Sequence, residues 1–194
     1  FFANACAATW YSGAGALPCP GTDGDAKGFV LLTTPAKLEN GTNDSRGGLI
    51  TFPQNINNGY IQGIYPVYKV KSGDKFRTTV SCESGATACN VVFRLDYSIS
   101  GSSTIQTFWA FGEKYEGNFY AADIDLASLV GKDIKFILTV LSAGSAAGDR
   151  ALWVAPIIYN PASGSVSPSA TPTSTATVTV TTAASATPTN TPTL

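Results

Sequence analysis

Between residue 1 and about residue 160, short apolar runs alternate with polar positions at a period of two and break at turn residues. That is the pattern of strands rather than of helices. In 91–99, Phe93, Leu95, Tyr97 and Ile99 share one face, while Arg94, Asp96 and Ser98 share the other. In 134–140, Ile134, Phe136, Leu138 and Val140 point one way, and Ile137 with the following Leu141 makes the second face apolar too, which predicts a central strand covered on both sides. Further strands are expected at 28–33, 49–52, 60–70, 75–82, 104–111, 119–126 and 151–159, nine or ten in all. Pro66 forbids an uninterrupted ladder in 60–70, so that segment is expected to be two strands, a bulge or an edge. Helix is hinted at only in 125–130 and amounts to one turn. The spacing predicts an all-β fold, an antiparallel β-sandwich of jelly-roll type.

After Tyr159 the composition changes. Residues 161–194 hold 17 Ser or Thr, five Pro and no charged residue, which marks a low-complexity tail. The expected organisation is a β-sandwich domain over 1–160 and a Ser/Thr/Pro-rich tail over 161–194. The tail reads as a linker or an O-glycosylated stalk, with Thr171 and Thr173 among its acceptors. Its run 175–181 also alternates, with Ala176, Val178 and Val180 on one face, as a donor strand would.

Charged residues are only 13% of the chain and the formal net charge is -1, with the charges scattered singly. No basic patch is present to neutralise phosphates, so nucleic acid is not an expected partner. Nor does any segment reach the roughly 20 apolar residues of a membrane span. The first five residues lack the basic start of a signal peptide, so the chain reads as a processed form. The four cysteines fall as close pairs, Cys6 with Cys19 and Cys82 with Cys89, without His or CxxC spacing. Local disulfides are expected rather than zinc, which puts the protein outside the cell or on its surface.

Candidate chemistry is sparse. With no His and no unpaired Cys, the commonest general base and the thiol nucleophile are missing, and no catalytic residue is assigned: the chain is expected not to be an enzyme. Glu113 and Glu116, bracketed by Gly112 and Gly117, read as solvated charges at a hairpin turn. The loop Gly21-Thr22-Asp23-Gly24-Asp25 has D-x-D spacing, so Asp23 and Asp25 are candidate calcium ligands, against an ordinary Asx turn; no other cofactor is expected. Tyr60, Trp109 and Tyr115 are candidates for stacking on sugar rings. Trp153 reads as core, and so does Trp109, since Phe108 and Phe111 leave both of its strand faces apolar. Asn40 and Asn43 open N-glycosylation acceptor triplets.

The run from Ala122-Asp123-Ile124-Asp125-Leu126 through Gly131-Lys132, then Ile134-Lys135-Phe136-Ile137-Leu138, then the glycine-rich loop 143–148 ending in Asp149-Arg150-Ala151-Leu152-Trp153, resembles the closing strands of jelly-roll carbohydrate-binding modules of the NPCBM-like group. Together with the tail Ala170-Thr171-Pro172-Thr173, it is similar to secreted bacterial surface proteins. The resemblance implies a jelly-roll sandwich and sugar binding. Two functions are therefore in view. One is a structural or adhesive subunit at the cell exterior, self-assembling into a filament through its terminal segments, with copies of itself or other surface proteins as partners. The alternative is a carbohydrate-binding module linked to a secreted polysaccharide-degrading enzyme, with polysaccharide as the partner.

Overall fold

A computed structural model describes residues 5–164. Thirteen strands run through them: β1 (Thr9–Ser12), β2 (Gly15–Leu17), β3 (Phe29–Thr33), β4 (Ala36–Lys37), β5 (Asn43–Asp44), β6 (Gly48–Phe52), β7 (Tyr60–Lys69), β8 (Lys75–Cys82), β9 (Asn90–Ile99), β10 (Gln106–Lys114), β11 (Tyr120–Asp125), β12 (Asp133–Ser142) and β13 (Ala151–Tyr159). They form three antiparallel sheets, a six-stranded one in the order β10-β9-β12-β7-β1-β2, a five-stranded one in the order β11-β8-β13-β6-β3 and the two-stranded ribbon β4-β5. The helical hint at 125–130 is a single 3-10 turn, Ala127–Leu129. The fold is an all-β sandwich, as the alternation predicts.

The two inner faces make one core. Phe93, Leu95, Phe136, Leu138 and Val140 of the six-stranded sheet meet Phe76, Val80 and Trp153 of the other, all essentially without solvent exposure. Phe93 and Trp153 pack edge to face with centroids 4.7 Å apart, and burying each such side chain contributes about 1.5–3 kcal/mol. At the β1–β7 crossing a glycine is required by space: Trp10 lies opposite Gly63, and a Cβ there would come within 2.7 Å of the indole. Trp10 Nε1 donates to Ala5 O at 3.0 Å, which settles its polar atom inside the core.

Pro66 is resolved as a bulge. The β12–β7 register shifts between Lys135 and Ile137, opposite Val67 and Ile64, and β1 reaches only Ile64 on the other side. Pro66 therefore has no ladder to interrupt on that flank. β12 is central, between β9 and β7, with Ile137 buried on the second face. The short strands β1 and β2 lie in a stretch whose sequence shows little alternation. Both disulfides pair locally, Cys6–Cys19 across the β1–β2 hairpin and Cys82–Cys89 across the β8–β9 turn. A closed loop of this size contributes about 2–3 kcal/mol.

The outer faces of the sheets differ. On the five-stranded sheet, Ile50, Leu152 and Val154 are covered by Ala36 and Leu38 from the β4–β5 ribbon and its turn, a second apolar cluster. On the six-stranded sheet no ribbon is laid across the strands among the described residues, and its outer face opens to solvent.

Candidate functional site

Strand register fixes what the open face presents. One row of cross-strand neighbours runs Tyr11, Gln62, Thr139, Arg94 and Ala110 across β1, β7, β12, β9 and β10. The row beside it is Tyr60, Leu141, Val92 and Gly112, and the row on the other side is Ile64, Ile137, Asp96 and Thr107. Polar groups thus occupy the middle of the sheet with apolar side chains around them. Together with Ile105, which overhangs from the β9–β10 loop, Tyr60, Gln62, Thr139, Leu141, Arg94 and Asp96 line a depression of about 290 Å³, near the lower end of the range for ligand pockets.

Its electrostatics are local and balanced. Asp96 is buried, 1% exposed, and its Oδ1 accepts from Arg94 Nη2 at 2.8 Å and Nε at 2.9 Å. One edge of the guanidinium is thereby tied down, and the rest of its fork is held in place toward the opening. Thr139 Oγ1, beside it and buried, has no hydrogen-bond partner, a cost a ligand hydroxyl would relieve. The half-exposed phenol of Tyr60 and the amide of Gln62 complete a set of donors, acceptors and one ring face, with no net charge. Asp96 is the single carboxylate of the depression.

The residues singled out in the sequence scatter. Tyr60 lies in the depression. Trp109 is half-buried on the inward side of edge strand β10, its ring parallel to Phe111. Tyr115 is occupied structurally: its hydroxyl donates to Glu39 O at 3.4 Å and accepts from Gly85 N at 3.3 Å. Asp23 pairs with Arg150 Nη1, and Asp25 Oδ1 caps Lys27 N at 2.9 Å, so these two carboxylates serve an ion pair and an Asx turn. Asn40 and Asn43 are exposed, although Asn40 Oδ1 accepts from both Thr42 N and Thr42 Oγ1. Thr171, Thr173, Ala176, Val178 and Val180 lie outside the described residues. Arg94, Asp96, Gln62, Thr139 and Tyr11 escape the sequence reading, because only the register of five strands assembles them. The signal was the charged pair on the polar side of 91–99.

The expectation for Glu113 is corrected. Glu113 is not a solvated turn residue: it is 3% exposed and faces Glu39, also 3% exposed. In β10 the odd positions turn inward, so Glu113 follows Trp109 and Phe111 toward the other sheet, while Glu116 beyond the strand is exposed. Glu39 accepts backbone N–H bonds from Glu116 and Gly117 at Oε1 and from Cys82 at Oε2, at 3.2 Å for the last. Burial first, then the hydrogen bond and charge of Glu39, push the Glu113 carboxyl up to about 8. Oxygens of both carboxyls and Cys82 Sγ lie within 4.8 Å of one another. The set does not fit a divalent cation, since the sulfur is locked in the disulfide with Cys89 and the Glu39 oxygens are taken by N–H donors. It fits a carboxyl pair sharing one proton.

No family model and no curated protein matches the chain by sequence. Solved structures alike in fold include TmCBM61 in complex with β-1,4-galactotriose, at 10% identity and a TM-score of 0.47, over 78% of this chain and 88% of that one. They include carbohydrate-binding modules from the β-sandwich superfamily described as promiscuous in specificity, at 11%, 0.48, 80% and 58%. A third is CBM51 from Clostridium perfringens GH95 in complex with methyl-galactose, at 13%, 0.45, 66% and 88%. The likeness is one of architecture. The expectation of a self-assembling structural or adhesive filament subunit is corrected: these structural neighbours are carbohydrate-binding modules, and the donor strand on which assembly rested lies outside the described residues. The chain is an antiparallel β-sandwich, and these carbohydrate-binding modules are among the solved structures it resembles in fold.

Proposed function

We propose that the chain is a non-catalytic carbohydrate-binding module that takes a neutral polysaccharide on the outer face of its six-stranded sheet. The observation that carries this reading is the meeting, on one uncovered sheet face, of the Tyr60 ring with Gln62, the partnerless hydroxyl of Thr139 and the pre-oriented guanidinium of Arg94. A sugar offers C–H faces for the ring and hydroxyls for the polar groups. Because Asp96 cancels Arg94, the depression has no lone cation to recruit a uronate, which favours uncharged chains. With one carboxylate, itself committed to Arg94, the depression lacks the acid–base pair that glycoside hydrolysis uses. Two disulfides favour an extracellular setting, and residues 161–194 would serve as the linker to a polysaccharide-degrading module.

A glycan array followed by calorimetry on the full chain tests the reading. Binding to at least one neutral polysaccharide is expected, with Tyr60→Ala and Gln62→Ala each weakening it about tenfold or more, which is about 1.4 kcal/mol. Absence of binding across neutral glycans, or unchanged affinity in both variants, would overturn it.

A further inference from the structure

A second place on the molecule carries binding chemistry, at the side of the sandwich. There the edge strand β10 of one sheet and the edge strand β11 of the other leave the mouth between the sheets open. From β10, Trp109 and Phe111 turn inward, opposite Leu95 and Phe93 of the core strand β9. From β11, Tyr120 and Ile124 turn inward, opposite Val80 and Phe76. Among the described residues no further strand lies outside them, so these side chains are core residues on one flank and reach solvent on the other. They line a cleft of about 290 Å³.

The shape of the wall is specific. The Trp109 and Phe111 rings are within 5° of parallel, with centroids 6.1 Å apart, and Tyr120 closes against Phe111 at 4.9 Å and 48°. Trp109, Phe111 and Tyr120 thus make one continuous aromatic wall. On the other side of Tyr120, which lines both, lies a polar depression of about 250 Å³ that includes Glu113, Lys114, Glu116 and Asn90. There Glu113 Oε1, in a side chain only 3% exposed, has no hydrogen-bond partner. Glu116 accepts from the Tyr120 hydroxyl and, at 3.4 Å, from Asn118 Nδ2, and so holds the phenol at the junction of the two halves.

We infer that this mouth is a second saccharide site, in which the C–H face of an uncharged pyranose packs against Trp109 in the aromatic wall and a hydroxyl of the same or the next residue donates to Glu113 Oε1. The apolar length of the wall and the acceptor at its end suit a ring that is apolar on its faces and rich in donors at its rim. Glu116, the exposed carboxylate beside Tyr120, disfavours an acidic sugar there. The site shares the sugar-binding reading of the sheet face but none of its residues, so the two stand or fall separately.

The chain contains its own reporter. Of its three tryptophans, Trp10 and Trp153 are buried at 1% and 0%, and only Trp109 reaches solvent. In ¹H–¹⁵N spectra of the full chain, titrated with β-1,4-galactotriose, cellohexaose and xylohexaose in turn, the Trp109 indole resonance, identified by its loss in Trp109→Phe, is expected to move saturably with at least one of them. Tyr120→Ala should weaken that response about tenfold or more, while Tyr60→Ala should leave it unchanged and weaken the response of the sheet face. A Trp109 resonance that none of the three sugars moves overturns the second site, even if the sheet face responds. A Trp109 response abolished by Tyr60→Ala overturns it too, by showing one site instead of two. A Trp109 response without any at the sheet face supports the second site and refutes the first.

Discussion

Replacing Glu113 by Gln keeps the shape of the side chain and an N–H donor for Glu39, and removes one titration. In the folded chain the Glu113 carboxyl is raised from 4.5 to about 8, by burial and by Glu39. It therefore stays protonated through a range in which the unfolded chain has already released that proton. Between pH 4.5 and about 8 the unfolded state binds fewer protons than the folded one, so this group makes stability fall as pH rises. The full extent of the fall is about 5 kcal/mol, at 1.36 kcal/mol per tenfold change in the proton equilibrium. The variant lacks this loss. Urea unfolding of wild type and Glu113→Gln at steps across the window gives the difference in stability, from which titrating groups away from Glu39 and Glu116 cancel. The difference should favour the variant increasingly with pH, by several kcal/mol at pH 8 relative to pH 4.5, and then level off. A difference that is flat across the window, or that falls with pH, would mean that Glu113 is ionised in the fold and that the shared proton does not exist.

Two further outcomes follow from the packing and the acid side of the titration. Gly63→Ala places a Cβ 2.7 Å from the Trp10 indole, against a ring fixed by its bond to Ala5, and is expected to lower stability by about 1–3 kcal/mol in urea unfolding; an unchanged midpoint would refute the tight crossing. Asp74 is 3% exposed, and although burial pushes its carboxyl up, bonds from Lys71 N and Tyr68 Oη, both 2.8 Å, and from Asn160 Nδ2, 3.0 Å, hold it below the ordinary 3.8. Its contribution is present above pH 3.8 and lost as pH falls through the lowered value, so Asp74→Asn should destabilise at pH 7 and flatten the acid limb of the stability curve; equal steepness in variant and wild type would refute the assignment.

The sandwich was legible because its strands obey a strict alternation: Phe93 and Leu95, or Phe136 and Leu138, announce a buried face without any knowledge of neighbours. The central place of β12 was legible for the same reason, from Ile137 and Leu141 on its second face. The site was not. Gln62, Arg94 and Thr139 are 30 to 80 positions apart in sequence and meet only because β7, β12 and β9 are adjacent in a register that local pattern does not encode. Glu113 misled for a related reason. Its neighbours Gly112 and Gly117 read as a turn, but β10 extends to Lys114 and its parity carries the carboxyl inward.

The contrast between the two outer faces bears on function more than the core does. Both sheets carry apolar side chains on that side: Ile50, Leu152 and Val154 on one, Ile64, Ile137 and Leu141 on the other. On the five-stranded sheet the β4–β5 ribbon covers them with Ala36 and Leu38. On the six-stranded sheet their solvation is limited differently, by the Arg94–Asp96 pair and Thr139 lying among them, so that Ile137 and Asp96 are each 1% exposed with no covering segment among the described residues. A buried ion pair is costly to desolvate and contributes little to stability compared with apolar packing of the same volume. A sheet face needing only to be closed would be served better by a second ribbon. Keeping it open, with a guanidinium oriented by a buried carboxylate and a hydroxyl without a partner, makes physical sense where a ligand supplies the missing hydrogen bonds.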